Sequence, residues 1–302
     1  MAEPINPLAA FSDHSAQLVE HGAASVVAVV GGGRWSTSGI HWRSGVVVTA
    51  EEVLERDDDI KIALPGGRFV EASLVGRDPS TDVAVLRFQA DGLSVARTAD
   101  ASSLRPGHVV MAIGNHEGAP VASFGIVAMA KGAWHSRRGG AIDSLIRLDL
   151  ALSQVAEGGA LIDVQGRVIG MAVLGPRRRV LAIPTATIDR VVDQLLAKGH
   201  VFRGYLGAGL QPVRFRPSGD QTAPASGRGV LVISIDPEGP ATQAGLLVGD
   251  IVTTWNAQPV DRVREIMRLL GPDSVGNTVD LGLLRGGEPT ALKVVIGQRP
   301  VA

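Results

Sequence analysis

Short runs of apolar and β-branched residues, separated by Gly, Pro and Asp, fill most of the chain between residues 25 and 184. Runs of this length and spacing are typical of an all-β barrel or sandwich, and they do not indicate alternating strands and helices. Ahead of them, apolar residues at helical spacing predict a helical segment within residues 1–22. The predicted strands cover residues 26–30, 45–49, 60–64, 69–75, 83–88, 109–113, 123–129, 144–148, 160–162 and 168–173.

The pattern changes after residue 184, and a second region begins near Arg203. Between them, apolar residues share one helical face from 188 to 196, which predicts a helix with Thr185 as its N-cap and Gly199 as its left-handed C-cap. We therefore divide the chain into residues 1–22, 23–200 and 201–302. In the last division the pattern predicts strands at 230–235, 279–284 and 291–296, another strand that opens at 249–252, helices at 240–246 and 261–270, and a loop at 214–228.

The composition is that of an ordinary globular protein of 302 residues, with 45% hydrophobic residues and a net charge of -1. This charge gives no electrostatic reason to expect a nucleic-acid partner, and no apolar run approaches the roughly 20 residues of a membrane span. The chain has no cysteine, and its histidines lack metal-ligand spacing, so we expect neither a metal nor a cofactor.

The first residues lack the basic and apolar regions of a secretory signal. As the sequence stands, this predicts a cytoplasmic protein. It predicts a periplasmic one if a leader has been removed.

One turn organises the first region, because an apolar strand runs into Glu157 and two glycines before a second apolar strand begins at Ala160. Adjacent glycines allow a sharp turn with positive φ and a close approach of backbone to backbone. We therefore expect the side chain before them, that of Glu157, to stand at an exposed corner.

Four segments of the chain resemble known motifs. The turn at 155–159 resembles a Gly-Asn-Ser-Gly-Gly turn. Residues 45–54 resemble a Val-Thr-x-x-His-Val motif, and residues 78–86 match an Asp-Ile-Ala-Val-Leu segment. Residues 239–252 match the PDZ pattern. In this order the segments resemble the HtrA/Deg family of bacterial trypsin-like serine proteases, and the turn resembles that of chymotrypsin-like proteases.

The resemblance implies a mainly β fold. It consists of a chymotrypsin-like double β-barrel, joined near residues 94–106, followed by one PDZ domain, a small α+β unit similar to a β-sandwich. A homo-oligomer, a trimer, is compatible with this family.

The same resemblance places Glu52 at the position of the catalytic histidine, Asp82 at that of the aspartate and Glu157 at that of the serine. A triad needs an imidazole base and a hydroxyl nucleophile, and a carboxylate supplies neither. Val155 replaces a glycine of the turn, which disfavours the backbone conformation of an oxyanion hole. We therefore expect a degenerate triad at the barrel interface, no serine-protease activity, and a raised pKa for at least one of the three carboxyls.

Three functions compete at this point. The first is a non-catalytic protein that binds peptides or proteins. The second is an active serine endopeptidase of protein quality control that uses another nucleophile, such as Ser153. The third is an acidic pocket in which the three carboxylates bind a hard cation or a basic group. Taken alone, Glu51 and Glu52 would more often be a solvated pair in the first turn of a helix, and Glu157 a plain turn residue.

For the PDZ region the resemblance implies binding of peptides or protein C-termini by strand addition. The loop formed by Tyr205, Leu206, Gly207 and Ala208 would hold the terminal carboxylate, and the strand from Gly207 to Gln211 would pair with the ligand. Val263 and Met267 on the predicted helix would line a side-chain pocket, although a core position explains Val263 equally well.

Overall fold

The computed structural model describes residues 6–32, 36–215 and 227–298, apart from the side chain of Asp273. The chain forms two compact units. The first contains Met1–Trp134 and Ile142–Val201, and the second contains His135–Ala141 and Phe202–Ala302. The predicted loop at 214–228 lies mostly outside the described residues. None of the helices in the described ranges is long and apolar enough to cross a membrane.

Six antiparallel strands close the first barrel, in the order β1-β2-β3-β6-β5-β4. Val, Ile and Leu side chains fill its interior, as β-branched and aliphatic residues commonly do in closed sheets. Among the six strands of this barrel, β2 is the one that the apolar pattern does not predict, since its sequence mixes Thr, Ser, Gly and His with apolar residues. The strands are β1 (Val26–Val30), β2 (Thr37–Arg43), β3 (Val46–Thr49), β4 (Ile60–Ala63), β5 (Phe69–Asp78) and β6 (Val83–Phe88).

A second closed barrel follows in the same unit, in the order β11-β14-β13-β12-β7-β8. Two further short strands, β9 and β10, lie between β8 and β11 in the sequence and pair with each other. The strands are β7 (Val109–His116), β8 (Ala119–Lys131), β9 (Trp134–His135), β10 (Ala141–Ile142), β11 (Leu145–Asp149), β12 (Ala160–Ile162), β13 (Val168–Gly175) and β14 (Arg179–Pro184). The double β-barrel expected from the resemblance is confirmed.

Two helices pack on this unit, α1 (Pro7–Ala23) and α2 (Thr185–Lys198). The predicted N-cap of α2 is wrong by one residue, because Pro184 takes that place and Thr185 is already helical. The Thr185 hydroxyl instead donates to the Ala99 carbonyl at 2.9 Å, which ties the helix start to the segment joining the barrels. Gly199 ends the helix with φ of 73°, the left-handed cap that the sequence predicts.

The second unit is built on a sheet in the order β16-β17-β18-β20-β21, with β16 at one edge. Helices α3 (Pro240–Gln243) and α4 (Val263–Leu269) lie in its chain connections. Its strands are β15 (Gly204–Tyr205), β16 (Ala208–Arg214), β17 (Arg228–Ile235), β18 (Ile251–Trp255), β19 (Gln258–Pro259), β20 (Thr278–Arg285), β21 (Glu288–Val295) and β22 (Gly297–Gln298).

Truncation of a fully buried leucine of α2 tests the packing of this helix. Leu195 is 0% exposed, whereas Leu8 of α1 is 79% exposed. Leu195→Ala should lower the free energy of unfolding by about 2–5 kcal/mol, because it removes buried methyl groups and leaves a cavity. Leu8→Ala is the matched control and should change it by less than about 0.5 kcal/mol. Urea unfolding of both variants measures the difference, and equal midpoints would contradict this packing.

Candidate functional site

Glu52 and Asp82 meet at one end of the first barrel. Glu52 lies in a turn after β3, not in a helix, and Asp82 ends the turn between β5 and β6. The backbone N–H of Glu52 donates to Asp82 Oδ1 at 2.9 Å. Asp82 has a φ of 59°, in the left-handed region that Asp tolerates better than most residues. The carboxylate of Asp82 therefore anchors the Glu52 turn through the main chain.

Glu157 reaches the same place from the second barrel, but its side chain is buried. The residue is only 7% exposed, and Glu157 Oε1 accepts a hydrogen bond from the Leu174 N–H at 2.8 Å. The expectation of an exposed corner is therefore wrong. The physical reason is that the carboxylate folds back on β13, where a backbone donor compensates for the water it loses.

The turn that carries Glu157, which we call the elbow (residues 153–159), is held by Ser38 of β2. The Ser38 N–H donates to the Glu157 carbonyl at 2.9 Å. The Ser38 hydroxyl donates to the Val155 carbonyl at 2.6 Å and accepts from the Asn115 N–H at 2.9 Å. Ser38 is fully buried, so one residue of the first barrel fixes two carbonyls of the second, one through its hydroxyl and one through its N–H. No sequence motif singled out Ser38.

Gly158 makes this close approach possible. It has a φ of 80°, and a Cβ at this position would lie 2.5 Å from the Ser38 carbonyl oxygen. Any other residue would be strained and would collide with the first barrel.

The elbow leaves one of its amides turned inward. Residues Gln154–Ala156 form a 3₁₀ turn, and the Glu157 N–H donates to the Gln154 carbonyl at 3.2 Å. An oxyanion hole requires backbone donors aimed at the oxygen on which charge develops. In a trypsin-like turn such an amide would face the substrate oxygen. Here the Glu157 N–H is already bonded to the Gln154 carbonyl.

Burial is the main cause of raised carboxyl pKa values at this site. It raises the pKa of Asp82 to about 7 against the opposing Glu52 N–H bond, and the charges of Glu52, Glu157 and Glu51 raise it further. Burial also raises the pKa of Glu157, as does Glu52, while the Leu174 N–H and Arg178 oppose the shift. The structure therefore brings Glu52, Asp82 and Glu157 within electrostatic reach of one another.

Neither a second nucleophile nor a metal site stands out in the described ranges. Ser153 is exposed at the start of the elbow, and its hydroxyl has no hydrogen-bond partner there. Within the same ranges, no group of three His, Asp or Glu residues has an arrangement that could hold a metal ion.

In the second unit, the predicted carboxylate loop (Tyr205–Ala208) has the geometry of an anion nest. Gly207 has a φ of 76°. The carbonyls of Leu206 and Gly207 accept from Ala241 and Asp236. Within the described residues, the N–H groups of Leu206 and Gly207 have no acceptor. Adjacent unpaired N–H groups around a left-handed residue form a concavity that binds anions.

The loop is followed by a strand that can accept a partner. Strand β16 pairs with β17 on one side and has no strand neighbour on the other within the described residues. Val263 and Met267 lie one helical turn apart on α4 and are half-buried, and α4 contacts β16. The free edge of β16, the loop and α4 are therefore adjacent, and we call the space that they border the groove.

Two family models match the chain. Residues 37–171 match the trypsin-like peptidase domain, and residues 204–296 match the PDZ domain.

Named relatives point the same way. The chain is 35% identical to a probable periplasmic serine endoprotease DegP-like of Halomonas elongata, over 85% of this chain and 55% of that protein. It is 30% identical to the serine endoprotease DegS of Haemophilus influenzae, over 86% of this chain and 76% of that protein. The chain thus spans about half the length of the DegP-like relatives it matches.

Solved structures of this kind have the same fold. The HtrA-type protease AlgW with a decapeptide superposes with a TM-score of 0.73 at 25% identity, over 95% of this chain and 99% of that one. The serine endoprotease from Yersinia pestis gives a TM-score of 0.73 at 29% identity, over 99% of this chain and 100% of that one.

The raised pKa of Asp82 predicts that the protein is more stable in mild acid than at neutral pH. A carboxyl that is harder to ionise when folded costs stability as pH rises from its unfolded pKa, about 3.9, to its folded value. For Asp82 the folded value is about 7, and the raised pKa of Glu157 acts in the same direction. The free energy of unfolding should therefore fall between about pH 5 and about pH 7.

The variant Asp82→Asn should flatten this slope, whereas the matched control Asp91→Asn, at an exposed position, should keep it. Urea unfolding across this pH interval measures both. An unchanged slope in Asp82→Asn would show that its carboxyl is solvated.

Proposed function

Because this chain belongs to the HtrA/Deg family of trypsin-like serine proteases with a PDZ domain, we propose that it is a pseudoprotease that binds peptide or protein C-termini without cleaving them. The observation that carries this proposal is the elbow. Glu157 stands in place of the nucleophile, and its amide is bonded to the Gln154 carbonyl. Both the reacting atom and a donor for the oxyanion are missing from the places where acyl transfer needs them.

Glu52 adds a second obstacle to catalysis. A general base must accept a proton near the operating pH, and a glutamate is ordinarily too weak a base at neutral pH for this role. The backbone N–H of Glu52 donates to Asp82 Oδ1 at 2.9 Å. Asp82 therefore supports a turn of the main chain, whereas the aspartate of a triad orients an imidazole.

The PDZ unit supplies the binding activity in this proposal. The unpaired N–H groups of Leu206 and Gly207 suit a terminal carboxylate, and the free edge of β16 suits the ligand backbone. Val263 and Met267 would contact the last side chain of the ligand. The solved structure of AlgW holds a decapeptide, which supports peptide binding in this fold. The relatives named as periplasmic likewise support a periplasmic location.

An active endopeptidase that uses Ser153 is the second candidate, favoured only by the names of the relatives. Against it, Ser153 lies at the start of the elbow, four residues before Glu157, and no base contacts its hydroxyl in the described part of the chain. The acidic-pocket alternative has the three carboxylates but no arrangement of ligands for a metal among the described residues.

The absence of protease chemistry can be tested by covalent labelling. A fluorophosphonate probe should leave the protein unlabelled, and an unfolded protein substrate should stay intact, because no activated hydroxyl lies at the elbow. An active trypsin-like protease is the positive control. Stoichiometric labelling that disappears in Ser153→Ala would establish the second candidate in place of the pseudoprotease.

Carboxylate capture can be tested with one peptide in two forms. A ligand with a free C-terminus should bind about 10- to 150-fold more tightly than its C-terminal amide, since a hydrogen bond to a charged group contributes about 1.5–3 kcal/mol. Fluorescence anisotropy of labelled peptides measures both affinities. Equal binding of acid and amide would exclude the Tyr205–Ala208 loop as a carboxylate site.

A further inference from the structure

Helix α4 carries two parallel stripes of different chemistry beside the groove. Val263 and Met267 form the apolar stripe, and both are half-buried. Arg264 and Arg268 follow them by one residue each and are exposed, so they form a basic stripe about 100° further round the helix. Ile266 is fully buried and marks the core side of the helix. The basic stripe therefore lies on the solvent-exposed side of the helix, next to the apolar stripe.

The C-terminal end of α4 lies where the carboxylate loop begins. The Gly204 N–H donates to the Leu270 carbonyl at 3.2 Å, and Tyr205–Ala208 follows directly. Arg268, in the last turn of the helix, is thus placed at the end of the groove that would receive the ligand's C-terminus.

A loop inserted between β9 and β10, far away in the sequence, adds another positive charge at this end. Gly139 is buried, and a Cβ there would lie 2.7 Å from the Met267 carbonyl oxygen, so the loop backbone touches α4. The Gly139 N–H donates to the Ser136 carbonyl at 3.1 Å, closing a turn that leaves Arg137 exposed at its tip.

His135 of the same loop reports the local field. Its pKa is lowered first by burial and then by the charges of Arg268 and Arg203. The loop and the end of α4 therefore share a positive environment. We call Arg137, Arg264 and Arg268 the basic rim. Within the described residues none of the three forms an ion pair.

Two of the neighbouring acidic side chains, those of Asp236 and Glu265, accept hydrogen bonds within the same unit. Asp236 and Glu238 follow β17, which pairs with β16 on the side away from its free edge. Asp236 accepts from the Tyr205 hydroxyl at 3.0 Å. Glu265 is turned back on the N-terminus of its own helix, where its carboxylate accepts from the Asp261 N–H at 2.8 Å.

We propose that the groove between β16 and α4 selects peptide C-termini that carry acidic side chains among their last four residues, with the basic rim supplying the attraction. This selectivity rests on the proposed function, because it requires that the groove bind C-termini at all. A terminal carboxylate together with one or two acidic side chains would bring two or three negative charges against three exposed arginines.

The test uses two peptides with free C-termini that differ only at the second and fourth positions from the end, Glu in one and its isostere Gln in the other. The Glu peptide should bind the full chain about three- to tenfold more tightly, as expected for a few exposed charge pairs at low salt. The gain should vanish at about 0.5 M salt, where the Debye length falls to a few ångströms.

Variants assign the effect to the rim. Arg264→Gln/Arg268→Gln should remove most of the preference, and Arg137→Gln should remove a smaller part. The matched control is Lys293→Gln, which removes a positive charge from β21 at the opposite end of the sheet. The readout is the ratio of the Glu to the Gln affinity, because the terminal carboxylate of the Gln peptide also loses some attraction in these variants. Tighter binding of the Gln peptide than of its C-terminal amide shows that the groove is intact.

Equal affinity for the Glu and Gln peptides would overturn the acidic selectivity and leave carboxylate capture standing. A preference that survives in Arg264→Gln/Arg268→Gln and in Arg137→Gln would overturn the assignment to the basic rim. If neither peptide binds in acid or amide form, the proposed function fails, and this inference fails with it.

Discussion

The contact of Ser38 with the elbow is the constraint on which the first unit's chemistry depends. One hydroxyl, fully buried, donates to Val155, while the adjacent N–H donates to Glu157. Because both acceptors are main-chain carbonyls, the contact fixes the path of the backbone whatever side chains the elbow carries. With that path fixed, the 3₁₀ turn keeps the Glu157 N–H bonded to the Gln154 carbonyl. This N–H is therefore not available to donate to a substrate oxygen.

Within this fixed path, the side chain of Glu157 ties the elbow to the neighbouring strand. A serine at position 157 would be too short to reach β13, whereas the glutamate carboxylate accepts from the Leu174 N–H at 2.8 Å. The bond links the elbow to the strand beside it, but it buries a charge-bearing group. Burial first, and the neighbouring Glu52 after it, raise the pKa of Glu157. The strength of this contact therefore depends on the protonation of Glu157.

Much of the fold follows from the sequence, because most strands are runs of β-branched residues bounded by Gly, Pro or Asp. Strand β2 escapes this logic, since its backbone pairing with β1 and β3, not its composition, keeps Thr37–Arg43 in the barrel wall. The positions of Glu52, Asp82 and Glu157 follow from motif order. The burial of Glu157 and the role of Ser38 do not, because each depends on a hydrogen bond to a residue distant in the sequence. Thr185 is a similar case at the start of α2. The local pattern predicts that its hydroxyl caps the helix, but the hydroxyl donates to the Ala99 carbonyl, which is distant in the sequence.

The loop His135–Ala141 lies within the trypsin-like part of the sequence but belongs to the second unit. The two strands that flank this loop include residues of the first unit, yet the loop itself belongs to the second. Gly139 is needed for the contact with α4, since its φ of 82° and the nearby Met267 carbonyl leave no room for a side chain. A PDZ unit cut free at Phe202 would lack this loop and Arg137 with it. The basic rim is therefore complete only in a chain that includes the loop, so the proposed selection of acidic C-termini needs residues from two separate parts of the sequence.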